Sequence, residues 1–229
     1  RYPGDYFRNL YIMRSDGTRP MRLTDDKAYY MESDWSPDGS LIAAVSLQPG
    51  SRGWRAWMHS ADGQVLHPLG DPDLGLDRPV WMADGSALVA IGRAVAGEPR
   101  GIYLADPSGP ILRRVTNDSV DWAVAAPSPD GATIAAVGLR EGVAGHELVL
   151  MDMQGVVTAR VAGAGPEGIR TIRPAWSPDG SQVAYLVASE ARDGPDELRV
   201  MAIDTLQPTV LGELQSHFSE RKQRMDWYP

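Results

Sequence analysis

The sequence predicts an all-β chain folded as a β-propeller of four-stranded antiparallel blades, about five of them, four complete and one shared by the two termini. Three features carry this expectation. One turn phrase recurs along the chain, a second recurs in constant phase with it, and short strands with consecutive apolar residues lie between them.

The first phrase is Trp35-Ser36-Pro37-Asp38-Gly39-Ser40. It returns as Trp81-Met82-Ala83-Asp84-Gly85-Ser86, as Pro127-Ser128-Pro129-Asp130-Gly131 and as Trp176-Ser177-Pro178-Asp179-Gly180-Ser181, and a fifth copy starts at Trp227. The steps are 46, 46, 49 and 51 residues. The second phrase runs Asp16-Gly17, Asp62-Gly63, Ser108-Gly109, Gln154-Gly155 and Asp204-Thr205, with an aliphatic residue six positions beyond each: Leu23, Leu69, Val115, Val161 and Leu211.

Each unit reads as four strands. In Ser-Pro-Asp-Gly, proline presets φ and glycine accepts a positive φ after it, so a type I turn joins the first two strands. The second strands are Leu41 to Val45, Leu88 to Ile91, Ile134 to Val137 and Val183 to Leu186. Apolar side chains at every position mean burial on both faces. The third strands, such as Ile102-Tyr103-Leu104, precede the second turn, and the fourth strands follow it and end at the aliphatic column. No segment carries a helical period. A sheet buried on both faces needs a neighbour on each side, which radial packing supplies. Trp35, Trp81 and Trp176 then read as wedges in the seams between blades, in preference to ligand-stacking residues. Ala43, Ala44, Ala135 and Ala136 fit the crowding near the axis.

Written out in this way, the repeats resemble those of the TolB-type propeller, whose blades carry a Pro-x-Trp-Ser-Pro-Asp-Gly turn and a Leu-Tyr-Val-Met-Asp-x-Asp-Gly hairpin. The nearest copies are Pro174-Ala175-Trp176-Ser177-Pro178-Asp179-Gly180 and Leu10-Tyr11-Ile12-Met13-Arg14-Ser15-Asp16-Gly17, followed by Arg22-Leu23-Thr24. The resemblance covers essentially the whole chain. It implies a protein-interaction or ligand-sensing module, non-catalytic, periplasmic or otherwise extracytoplasmic, with a protein or peptide partner and no cofactor. The alternative it implies is the substrate-gating propeller of a prolyl-oligopeptidase-like serine peptidase. Neither the companion domain of TolB nor a hydrolase domain is present in these residues, so their activities do not carry over.

The repeats open on a third strand and close inside a turn phrase at Trp227-Tyr228-Pro229. This phase predicts one propeller domain over residues 1–229, excised from a longer chain that carries a further domain.

Composition narrows the function classes. With no cysteine, disulfides and cysteine nucleophiles are excluded. A net charge of −8 argues against a nucleic-acid partner. No run approaches the roughly 18 consecutive apolar residues that a membrane-inserted helix needs. The 24 glycines and 18 prolines belong in turns. Catalytic material is thin: His59, His67, His146 and His217 fall at unrelated repeat positions, and no Gly-x-Ser-x-Gly elbow occurs. Asp71, Asp73 and Asp77 around Gly75 form a weak candidate for a hard cation, read in preference as a solvated loop. The turn aspartates Asp38, Asp84, Asp130 and Asp179 are turn formers first.

In a propeller, the connections from the fourth strand of one blade to the first strand of the next lie at the channel mouth. Here they gather Tyr29, Tyr30, Glu32, Asp77, Arg78, Trp122, Arg170, Arg173, Phe218, Arg221 and Arg224. Aromatic and arginine side chains are the residue types that anchor interfaces. The expectation is a mouth that accepts an acidic peptide or protein segment.

Overall fold

The computed structural model describes residues 8–51, 53–71, 74–93, 97–110, 112–117, 119–162, 168–170, 173–189 and 194–214. Among them every regular element is a strand. A two-stranded sheet of β1 (Tyr11–Ile12) and β2 (Met21–Arg22) comes first. Four four-stranded sheets follow, each an antiparallel meander whose spatial order is its chain order.

The first of these blades holds β3 (Tyr29–Trp35), β4 (Leu41–Leu47), β5 (Arg55–Ser60) and β6 (Val65–Pro68). The second holds β7 (Gly75–Trp81), β8 (Leu88–Arg93), β9 (Gly101–Ala105) and β10 (Leu112–Arg114). The third holds β11 (Asp121–Pro127), β12 (Thr133–Leu139), β13 (Glu147–Asp152) and β14 (Val157–Ala162). The fourth holds β15 (Ala175–Trp176), β16 (Gln182–Val187), β17 (Asp196–Ala202) and β18 (Pro208–Leu214). No helix among the described residues is long and apolar enough to cross a membrane.

The core lies in the seams between blades. Along β4, Ala43 and Val45 join a cluster with Leu76, Trp81, Leu88 and Ala90 of the second blade, whereas Ile42 and Ala44 turn the other way onto Leu10, Ile12 and Leu23. The same two-residue alternation sends Val89 and Ile91 to the seam between the second and third blades, and Ala135 and Val137 to the seam between the third and fourth. The first strands β3, β7, β11 and β15 touch one another in sequence, so they form the inner row of the array.

The turns explain why the two phrases keep a constant phase along the chain. At Ser36-Pro37-Asp38-Gly39 the Gly39 N–H donates to the Ser36 carbonyl at 2.9 Å, and Gly39 takes φ +72°. Asp38 accepts the Ser36 hydroxyl at 2.6 Å and the Ser40 N–H at 3.1 Å. The hydroxyls of Ser36 and Ser177, first among the causes, hold Asp38 and Asp179 down at about 2. Gly85, Gly131 and Gly180 repeat the left-handed conformation, Asp84 accepts the Ser86 N–H at 2.9 Å, and Asp130 accepts the Ala132 N–H at 3.0 Å. In the second phrase, a Cβ on Gly63 would lie 2.5 Å from the Leu23 carbonyl oxygen, and one on Gly155 would lie 2.3 Å from that of Val115. Each glycine therefore sits against the aliphatic column of the preceding blade.

The tryptophans divide. The Trp81 indole N–H donates to the Asp34 carbonyl at 3.3 Å, and that of Trp176 to the Ala126 carbonyl at 3.0 Å. In both cases the acceptor precedes the matching repeat position of the neighbouring blade. Trp35 instead is 45% exposed. Trp227, at the fifth copy of the phrase, lies outside the described residues.

Candidate functional site

The inner strands do not run straight. In β3 the register slips between Tyr30 and Ser33, in β7 between Asp77 and Val80, and in β11 between Trp122 and Val124, each time with one extra residue on the inner strand. Such bulges re-aim a side chain at the cost of local pairing. Glu32 and Arg78 stand in the first two, and Arg78 takes φ +53°, a left-handed conformation that a non-glycine residue adopts only when its surroundings hold it there.

The bulges bring neighbouring blades together through charge. Arg78 Nε lies 3.8 Å from Glu32 Oε1. Burial pushes the Glu32 carboxyl up, against the opposing pull of Arg78 and Arg173. Asp77 is driven further, to about 6, by burial first, with Glu32 adding to the rise and Arg78, Arg100 and Arg93 pulling the other way. Its Oδ1 is fully buried and accepts no hydrogen bond among the described residues. A buried carboxylate oxygen without a donor disfavours the charged form.

Next to this group, Arg100 holds Asp121 with two parallel bonds, Nε to Oδ1 at 3.1 Å and Nη2 to Oδ2 at 3.0 Å, and Arg93 lies 3.8 Å from the same carboxylate. Arg100 belongs to the second blade and Asp121 opens β11 of the third. This clamp joins the seam where Pro127 replaces the tryptophan of the repeat.

Tyr29 is half-buried, 5.8 Å in an edge-on contact from the Trp54 ring, with the Arg8 guanidinium 4.7 Å from its own. Tyr30 is buried, and its hydroxyl donates to Asp26 Oδ2 at 2.7 Å. Trp122 is fully buried in the seam between the second and third blades, so it packs the core and is not presented at the mouth. Both stand in regular register just before the bulge, paired with Ser46 and Gly138, and pack into the core clusters. Arg170 pairs with Asp196 at 2.9 and 2.8 Å. Phe218, Arg221 and Arg224 lie outside the described residues.

Of the weak cation candidate, Asp71 is exposed, Asp73 lies outside the described residues, and Asp77 faces the arginines. No group of three potential ligands gathers among the described residues. His59 is buried beside Tyr30, ring to ring at 5.6 Å, its pKa lowered by burial. His67 meets the Pro68 carbonyl at 3.1 Å, His146 bridges to Gly168, and His217 lies outside the described residues. Sequence reasoning missed Arg93, Arg100 and Asp121. The repeat carried a usable signal, since Arg8, Trp54, Arg100 and His146 stand 46 residues apart, but this column falls in a different connection from the one that defines the mouth.

Four-stranded meanders stacked through their inner strands, with the core in the seams, define a β-propeller. No protein-family model matches the chain, and no curated protein matches it. Solved structures do. The chain is similar to a puromycin-hydrolyzing peptidase of Mycobacterium tuberculosis, at 17% identity over 89% of this chain and 32% of that one, with a TM-score of 0.64. It is also similar to an oligogalacturonate lyase in complex with manganese, at 20% identity over 83% and 53%, with a TM-score of 0.61. TolB from Acinetobacter baumannii matches at 19% identity over 91% and 60%, with a TM-score of 0.45. The chain spans less than two thirds of the length of each. At such identities the likeness establishes the propeller fold alone, and the TolB-type character of the repeats fits it.

Proposed function

We propose that this propeller is a non-catalytic binding module whose channel mouth accepts an acidic peptide or protein segment. The observation that carries this reading is the charge balance of the mouth. Arg78, Arg93, Arg100 and Arg173 act on three carboxylates, Glu32, Asp77 and Asp121, and burial raises Asp77 to about 6. Four guanidiniums thus act on three carboxylates here, in a chain of net charge −8. Clustered guanidiniums steer acidic partners toward themselves. An extracytoplasmic setting and a further domain in the parent chain complete the proposal, both on the strength of the TolB-type resemblance.

The test is fluorescence anisotropy with a labelled oligoglutamate peptide. The variant Arg78→Ala/Arg173→Ala is expected to weaken binding at least about tenfold, with a thermal melt that confirms the protein is folded at the assay temperature. Unchanged binding overturns the reading. A second reading, a propeller that filters substrates for a peptidase, draws support from the likeness to the puromycin-hydrolyzing peptidase. It predicts that a fluorophosphonate probe labels the parent protein, whereas the binding module predicts no labelling.

A further inference from the structure

Among the described residues, the β1–β2 sheet and the first three blades each hold one residue just before the third strand of the repeat that lies toward the first strand of the next blade. Arg8, Trp54, Arg100 and His146 occupy this place at a constant step of 46 residues. The contact is made by the backbone: the Tyr30 N–H donates to the Arg8 carbonyl at 3.0 Å, that of Trp122 to the Arg100 carbonyl at 3.1 Å, and that of Ile169 to the His146 carbonyl at 2.9 Å. Arg8 and Arg100 are therefore equivalent residues in equivalent surroundings, but their side chains meet different partners.

Arg100 closes on Asp121, the residue before Trp122. At the corresponding place before Tyr30 stands Tyr29, and the Arg8 guanidinium lies 4.7 Å from its ring. No carboxylate among the described residues pairs with Arg8, and none pairs with Lys27. Both cations line a cavity of about 720 Å³ together with Tyr29, Met31, Gln48 and Trp54. Its size suits a small ligand or the end of a peptide. Met31 is 44% exposed there, and the edge-on pair of Tyr29 and Trp54 offers an aromatic wall.

We propose that this cavity binds a carboxylate carried on an aromatic or apolar body. The carboxylate takes on Arg8 the place that Asp121 takes on Arg100, Lys27 adds a second charge, and the body lies against Trp54 and Tyr29. Bidentate pairing with a guanidinium gives such a ligand both orientation and affinity. The site goes beyond the acidic-segment reading and uses none of Glu32, Arg78 or Arg173, so the Arg78→Ala/Arg173→Ala protein is expected to retain it. The ligand's chemistry has two sources, a free small acid or the C-terminal carboxylate of a peptide ending in an aromatic residue.

The experiment is isothermal titration calorimetry with N-acetylphenylalanine, with its amide, and with a pentapeptide ending in phenylalanine as free acid. The acid is expected to bind at least about tenfold tighter than the amide. Arg8→Gln/Lys27→Gln removes that preference. Tyr29→Asp removes it by the opposite route, supplying the carboxylate from the chain itself, and Trp54→Ala weakens acid and amide alike. Thermal melts confirm that each variant is folded. Tighter binding of the pentapeptide assigns a chain terminus as the source, and equal or weaker binding assigns a small acid. Equal affinity for acid and amide, no heat of binding at all, or a preference that survives both charge variants overturns the proposal.

Discussion

Asp77 offers the sharpest test of the mouth's electrostatics. Its carboxyl is lifted from 3.8 to about 6, chiefly by burial. A lift of that size corresponds to about 3 kcal/mol of unfavourable ionisation in the folded state. The sign follows from proton binding: between about pH 4 and pH 6 the folded chain holds a proton that the unfolded chain has released, so stability falls as pH rises through that window. Asp77→Asn keeps the shape of the protonated acid and cannot ionise. Near pH 4 the two proteins are expected to be equally stable; near pH 8 the variant is expected to be more stable by about 1–3 kcal/mol, the lower figure allowing for an unpartnered amide. For a domain of this size that is a rise in melting temperature of about 2–12 °C.

Urea denaturation of both proteins at intervals across this range reads the difference directly. The turn aspartates Asp38 and Asp179 do not interfere, because their depressed values place their contribution above 3.8, and it is lost only as pH falls toward about 2. Glu32 is raised in the same direction as Asp77, so repeating the series in Glu32→Gln separates the two. A difference between Asp77 and its asparagine variant that stays constant with pH, or that favours the wild type more as pH rises, refutes burial of the carboxylate as the cause.

Two further outcomes follow from the seams. Gly155→Ala forces a Cβ to 2.3 Å from the Val115 carbonyl oxygen at a positive φ, so it is expected to cost more than about 2 kcal/mol, against about 1 kcal/mol for Gly17→Ala, where nothing lies within 4 Å; equal losses in chemical denaturation would contradict the close approach between blades. Trp81→Phe keeps the buried ring but removes the bond to the Asp34 carbonyl, and a loss of about 1–2 kcal/mol in the same assay is expected, with a neutral result ruling out that bond as a seam contact.

Much of the fold was legible because its determinants are local and repeated. Ser36-Pro37-Asp38-Gly39 folds its turn from hydrogen bonds within five residues, and Leu41 to Val45 declares burial on both faces by being apolar at adjacent positions. The mouth was legible only in part. Glu32 and Arg78 fall in the connections the architecture points to and lie 3.8 Å apart, whereas Trp122 and Tyr30, chosen from the same connections, are buried. No composition rule separates them, because strand register decides which side chain faces the seam, and three of the inner strands carry an extra residue.

The period, the strand count per blade, the alternation of apolar faces and the turn chemistry are all written in the order of residues, since each depends on neighbours within one blade. Which charges meet is settled by packing: Glu32 with Arg78, Arg100 with Asp121, and Arg8 with an aromatic ring in place of an acid. These pairs join residues of different blades. Their partners are chosen by bulge and register across the seam, and a periodic sequence presents every blade with the same alternatives until neighbouring blades are packed together.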